Sequence, residues 1–114
     1  MSRYLTDEAY ALSLHQKVVE TATSMLNRDI NFILGSRILS EICHQMPKMD
    51  IDSDFIKFRG IASETDELPL GDVQQLWDKN ALEKLKPKIL EAEIWARKCG
   101  EDACRSLVIR FTKS

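Results

Sequence analysis

Little in this chain breaks a helix. Four glycines and three prolines are spread over 114 residues, fewer turn formers than a many-stranded sheet uses. No apolar run approaches the roughly 20 residues that span a bilayer. The opening "MSRYLTDEAYALSLHQKVVE" has one early arginine, no unbroken apolar block and no small-residue cleavage site, so no signal peptide is expected. Cysteine is limited to Cys43, Cys99 and Cys104, an odd number without CxxC spacing, which predicts reduced thiols in a cytoplasmic protein. The two histidines, His15 and His44, lack a second ligand at helical metal spacing, so no metal site and no cofactor are expected. Phosphate-cradling glycine loops and nucleophile elbows are absent as well. The net charge of −2 excludes nothing by itself, but a pI near 5.7 and basic residues mixed with acids argue against a nucleic-acid footprint covering the domain.

What is present is ordinary globular composition, 44% apolar and 30% charged, in a chain long enough for one domain over residues 1–114 with a single modest core. The apolar positions recur at helical spacing. A first helix is expected from an N-cap at Thr6, with Leu12, Val18, Val19, Ala22, Met25 and Leu26 on its stripe, ending at Asn27 or Arg28. Asp29 is expected to cap a second helix, which buries Ile30, Ile33, Leu34, Ile38, Ile42 and Met46 and stops at Pro47. Asp52 or Ser53 caps a third helix carrying Phe55, Phe58 and Ile61. A short helix over Asp72–Leu76 and another after Asp78 precede Pro87, which is expected to open the long last helix. That helix carries Ile89, Glu93, Ala96, Gly100, Ala103, Leu107 and Phe111, widened by Leu90, Trp95, Cys99 and Cys104. The expected fold is all-α, a compact bundle of four to five helices with a long C-terminal helix, and Trp77 is expected either as a core anchor, the favoured place, or as an interface hot spot.

Charge is unevenly placed. Residues 48–72 hold seven acids against three bases, and residues 79–114 hold nine bases against five acids. Such asymmetry creates a field that steers partners, unless helix packing cancels it. Within "RGIASETDELPLG" the residue types first suggest a turn. Pro69 forces Leu68 to be extended, Ser63, Thr65 or Asp66 can bond backbone N–H groups, and Leu68 and Leu70 tuck inward. Glu64 and Glu67 are left without a structural duty. Catalytic carboxylates usually converge from separate elements, and no accompanying base or cofactor motif stands here, so no catalytic residue is assigned.

Composition and periodicity reach a helical domain and no further. The run Gly60-Ile61, Ser63-Glu64-Thr65-Asp66, Leu68-Pro69, Gly71, Trp77, Ala81-Leu82, Glu91 or Glu93, and Ala103-Cys104 resembles small helical bacterial proteins. Some of these are immunity proteins of contact-dependent growth inhibition. The resemblance covers about residues 30–111, and its "SETDxLPxG…W" run is its most specific part. One departure is Pro87, standing where a helix-compatible charged residue is expected. The resemblance implies a cytoplasmic protein without catalysis, a monomer binding the C-terminal domain of a cognate toxin one to one. That toxin would be a nuclease, with ribonuclease favoured, whose basic groove carboxylates could block. Asp50, Asp52, Asp54, Glu64, Asp66, Glu67 and Asp72 are the expected partner-binding acids, Asp66 also serving the turn. Two other readings stand beside it. One is a stand-alone cytosolic helical module, dimeric through the Ala96/Gly100/Ala103 face. The other is a small hydrolase using the acidic loop.

Overall fold

A computed structural model describes residues 3–46 and 49–112. The described residues form four α-helices, α1 (Arg3–Leu26), α2 (Phe32–Gln45), α3 (Ser53–Glu64) and α4 (Lys79–Thr112), with 3-10 turns at Met49–Ile51 and Gly71–Leu76. No strand occurs among them, so the all-α bundle with a long C-terminal helix is what the chain forms.

The helix ends follow local chemistry, with corrections. α1 begins at Arg3, so Thr6 lies within it. Nothing in Arg3–Leu5 is a breaker that would stop the helix growing back past the threonine. At the other end Arg28 adopts φ 65°, and the Asp29 N–H donates to the Ser24 carbonyl at 2.8 Å and the Arg28 N–H to the Met25 carbonyl at 3.3 Å. This is the paired closure that glycine usually completes. It consumes the Asp29 backbone, and the cap of α2 falls instead to Asn31, whose Oδ1 accepts from Ile33 and Leu34 at 2.8 and 3.2 Å. α2 ends at an extended Met46, as the following proline demands; Pro47 itself lies outside the described residues. Asp52 caps α3, accepting from the N–H groups of Asp54 and Phe55.

Pro87 neither ends a helix nor begins one. α4 runs through it for 34 residues. A proline removes one helical hydrogen bond, to the carbonyl of Glu83. Both residues are exposed, so water can serve that carbonyl, and the long run of helix that follows, from Lys88 to Thr112, carries the helix past it. At about 1.5 Å per residue α4 is about as long as the molecule's 51 Å longest dimension.

α1 and α4, the first and last helices, pack antiparallel: Met25 meets Cys104, while His15 meets Phe111 edge to face at 4.9 Å. α2 and α3 close over them. The core gathers Val18, Ala22 and Met25 of α1, Phe32, Ile33 and Leu39 of α2, Phe55, Phe58 and Ile61 of α3, and Ala96, Ala103, Cys104 and Leu107 of α4. Burial pushes the Cys104 thiol up to about 12, so it packs as an inert apolar group.

The small-residue stripe of α4 is consumed inside the chain. A Cβ on Gly100 would stand 2.9 Å from the Phe32 ring and 3.1 Å from the Phe58 ring. The Ala96/Gly100/Ala103 face is therefore covered by α2 and α3 and is no dimer surface. Several expected stripe members lie outside the core instead. Leu12, Ile38, Leu90, Trp95 and Cys99 are all exposed, and so is Trp77, against the favoured expectation that it anchors the core.

Two residues of α4 lock the α1–α2 turn. Glu93 accepts a hydrogen bond from the Phe32 N–H at 3.0 Å, at the start of α2. Arg97, one turn later, donates to the Met25 carbonyl at 2.8 Å, at the end of α1. Anion at an N-terminus and cation at a C-terminus is the arrangement both helix dipoles favour. The Arg97 guanidinium also lies 4.9 Å over the Phe32 ring.

Candidate partner-binding surface

The seven acids singled out in the sequence divide into three groups. Asp52 and Asp54 are tied down by α4. Arg110 Nη2 meets Asp52 Oδ2 at 2.5 Å and Arg110 Nη1 meets Asp54 Oδ2 at 2.7 Å, while the Ser106 hydroxyl donates to Asp54 Oδ2 at 2.6 Å. Their charge is answered within the chain, the cancellation of the two halves that uneven charge left open. Asp50 stands in the first 3-10 turn, and its carboxylate lies outside the described residues. Glu64, Asp66, Glu67 and Asp72 are exposed and cluster around the end of α3 and the loop behind it.

The hydrogen bond from Arg110 holds the Asp52 carboxyl below its usual range, against the opposing effect of burial. A carboxyl depressed in the folded state stabilises the fold above its unfolded value, about 3.9, and that contribution disappears as pH falls through the lower folded value. Arg110→Ala is expected to lose about 1–2 kcal/mol near neutral pH, the low end for a broken ion pair because the arginine is more than one-third exposed. Urea unfolding at about pH 7 and about pH 2.5 checks this. The deficit shrinks in acid, and an undiminished deficit would refute the assignment.

The loop is built by residues other than its acids. Arg37 of α2 donates to the carbonyls of Thr65 and Leu68, the latter at 3.1 Å, satisfying the C-terminal end of α3. The Thr65 hydroxyl donates back to the Ile61 carbonyl at 2.7 Å, so the threonine bonds a carbonyl rather than an N–H group. Leu68, Pro69 and Leu70 are buried, as the turn reading expects. Gly71 then turns the chain at φ 68°, a left-handed conformation open to glycine. Burial pushes the half-buried Arg37 guanidinium down, and Asp66 opposes that shift through its charge.

Glu64 and Glu67 have no hydrogen-bond or ion-pair partner among the described residues. Glu64 also closes α3, the end at which the helix dipole disfavours an anion. Both border a groove of about 360 Å³ between the α3 end and α4, together with Lys88, Glu91 and Trp95. A second groove, about 350 Å³, continues from it along Ile56, Gly60 and Cys99 and shares Glu64 and Trp95. The pair forms one open trough with an apolar floor and three carboxylates at one end. A Cβ on Gly60 would meet nothing within 4 Å, so the trough is open there by lack of neighbours. Glu91 and Trp95 enter this surface from α4. Periodicity missed Trp95 because the residue borders the buried stripe and reads as its edge.

Further along, Val73, Leu76 and Trp77 expose apolar side chains from the second 3-10 turn, Leu76 to 86%. The described residues contain no group of three or more His, Cys, Asp or Glu able to hold a metal ion, and no helix long and apolar enough to cross a membrane. Compared with known proteins, the chain matches no protein-family model, no curated protein sequence and no solved structure.

Proposed function

We propose that this chain is an immunity protein, a cytoplasmic inhibitor that binds the C-terminal domain of a cognate toxin and has no catalysis of its own. The observation that carries the reading is the trough between α3 and α4. It joins exposed aromatic and aliphatic surface at Trp95 and Ile56 to the unpaired carboxylates Glu64 and Glu67. An aromatic anchor beside unanswered charge is the composition of an interface hot spot and its steering field. Glu64 also stands at the unfavourable end of its helix, a local cost that a partner's cation would offset.

The partner that fits is basic. A nuclease holds phosphate in a cationic groove, and carboxylates at the spacing of a loop can occupy the same groove in place of phosphate. A ribonuclease is the favoured target, in keeping with the resemblance of the "SETDELPLG" run. Asp66 and Asp72 extend the acidic surface, one toxin domain per chain, while Asp52 and Asp54 are spent on Arg110.

The test is co-purification with the basic toxin domain encoded beside this chain, with affinity measured at two ionic strengths. Glu64→Lys combined with Glu67→Lys is expected to weaken binding on the order of a hundredfold at low salt and by less at high salt. Absence of binding, or an affinity indifferent to both salt and the charge reversal, would sink the proposal.

A further inference from the structure

α4 carries a second exposed face that the trough does not use. Leu90 and Ile94, one turn apart near the middle of the helix, are 59% and 50% exposed. An open groove of about 320 Å³ runs beside them toward Arg28 of the α1–α2 turn. Two large aliphatic side chains in this position contribute little to the fold, because the core side of α4 faces the other way, through Ala96, Gly100, Ala103 and Leu107.

The charges around them form a pattern that is its own complement. Glu83, Pro87, Leu90, Ile94, Lys98, Glu101 and Arg105 follow one another at spacings of four, three and four on each side of Ile94, the repeat of a helix–helix seam. Reversing the helix about Ile94 sets Glu83 against Arg105 and brings Glu91 next to Lys98. A parallel pairing in register would set each charge against its own copy. We propose that the occupant of this face is a second copy of the same chain, with α4 packed antiparallel on α4 and Ile94 at the two-fold axis.

In that arrangement Glu83 meets Arg105 of the partner subunit, and Glu91 meets Lys98 of the partner subunit, each pair occurring twice by symmetry. Leu90 lies along the aliphatic stem of Lys98 of the partner subunit. Glu83 now pairs with Lys86 at 2.8 Å, and Arg105 with Asp102 at 3.0 Å and Glu101 at 3.4 Å. Those pairs are solvent-exposed and worth little, so exchanging them costs little. Trp95 sits about 100° around the helix from Ile94, so the toxin trough and the dimer seam lie on adjacent sides of α4, with Glu91 at their shared border. The dimer does not depend on the proposed immunity function.

Sedimentation equilibrium of the full chain without any partner tests the proposal. The expected result is a concentration-dependent species of twice the 13.1 kDa chain mass. Ile94→Lys is expected to raise the dissociation constant on the order of tenfold or more. Glu91→Lys and Lys98→Glu each weaken the dimer alone, and the two together in one chain restore it, since the reversed pair is again complementary. A monomer at every concentration leaves this face to some other chain and overturns the proposal. So does a dimer unmoved by Ile94→Lys, or a double reversal no better than the single ones.

Discussion

Phe32→Ala is expected to destabilise the protein by about 3–5 kcal/mol, the range for removing a fully buried aromatic ring, out of a total that for domains of this size is about 5–15 kcal/mol. Phe32 is fully buried at the start of α2. Its ring fills the space that the missing Gly100 side chain leaves on α4 and lies beside Phe58 at 6.4 Å. Its other face receives the Arg97 guanidinium. Alanine therefore leaves a cavity where three helices meet and also removes the cation–π contact. Denaturant unfolding followed by far-UV circular dichroism checks the magnitude. The site also predicts a coupling. Gly100→Ala alone overpacks against the ring, whereas in the Phe32→Leu background the added methyl finds room, so the two changes together cost less than their sum. Strict additivity would mean that the ring and the glycine do not touch in solution.

Arg97→Ala is expected to be the next most damaging change, at about 2–3 kcal/mol. It removes a charged hydrogen bond to the Met25 carbonyl, worth about 1.5–3 kcal/mol, and the contact over Phe32. It also leaves Glu93 at the start of α2 without its cation, which stands 3.8 Å away. Arg97→Lys keeps the charge but loses the planar group that reaches the carbonyl while lying on the ring, so it recovers only part of the loss. The same unfolding measurement on the three proteins decides it. A lysine variant equal to wild type would reduce the role of Arg97 to net charge.

Caps and stripes that depend on near neighbours were legible in the sequence. Asp52 capped α3 as expected because its acceptor needs only the N–H groups two and three residues ahead. Leu68 and Leu70 turned inward because Pro69 fixes the backbone between them. The misplacements share a physical origin in partners distant along the chain. Asp52 and Asp54 read as free acids because nothing in their own segment announces Arg110 more than 50 residues later. Leu90 and Trp95 read as core because a helical stripe has no sharp edge, and only the positions of α2 and α3 decide which flank is covered. Pro87 read as a boundary because the proline rule is stated for an average helix, while this one is long and its proline faces water. For Glu64 and Glu67 the sequence supplied the right negative, acids without a structural task. The aromatic neighbour that makes a surface of them comes from α4.

The antiparallel pairing of α1 with α4 has a consequence for synthesis. α1 is made well before α4, whose Phe111 packs against His15 and Phe55. Until α4 follows, the apolar side of α1, with Leu14, Val18, Ala22 and Met25, has only half its cover. Folding of a nascent chain is therefore postponed until α4 has emerged, and during translation the exposed stripe is a natural target for chaperones. Loss of even the last turn of α4 would take Phe111 away and leave His15 and Phe55 without that cover.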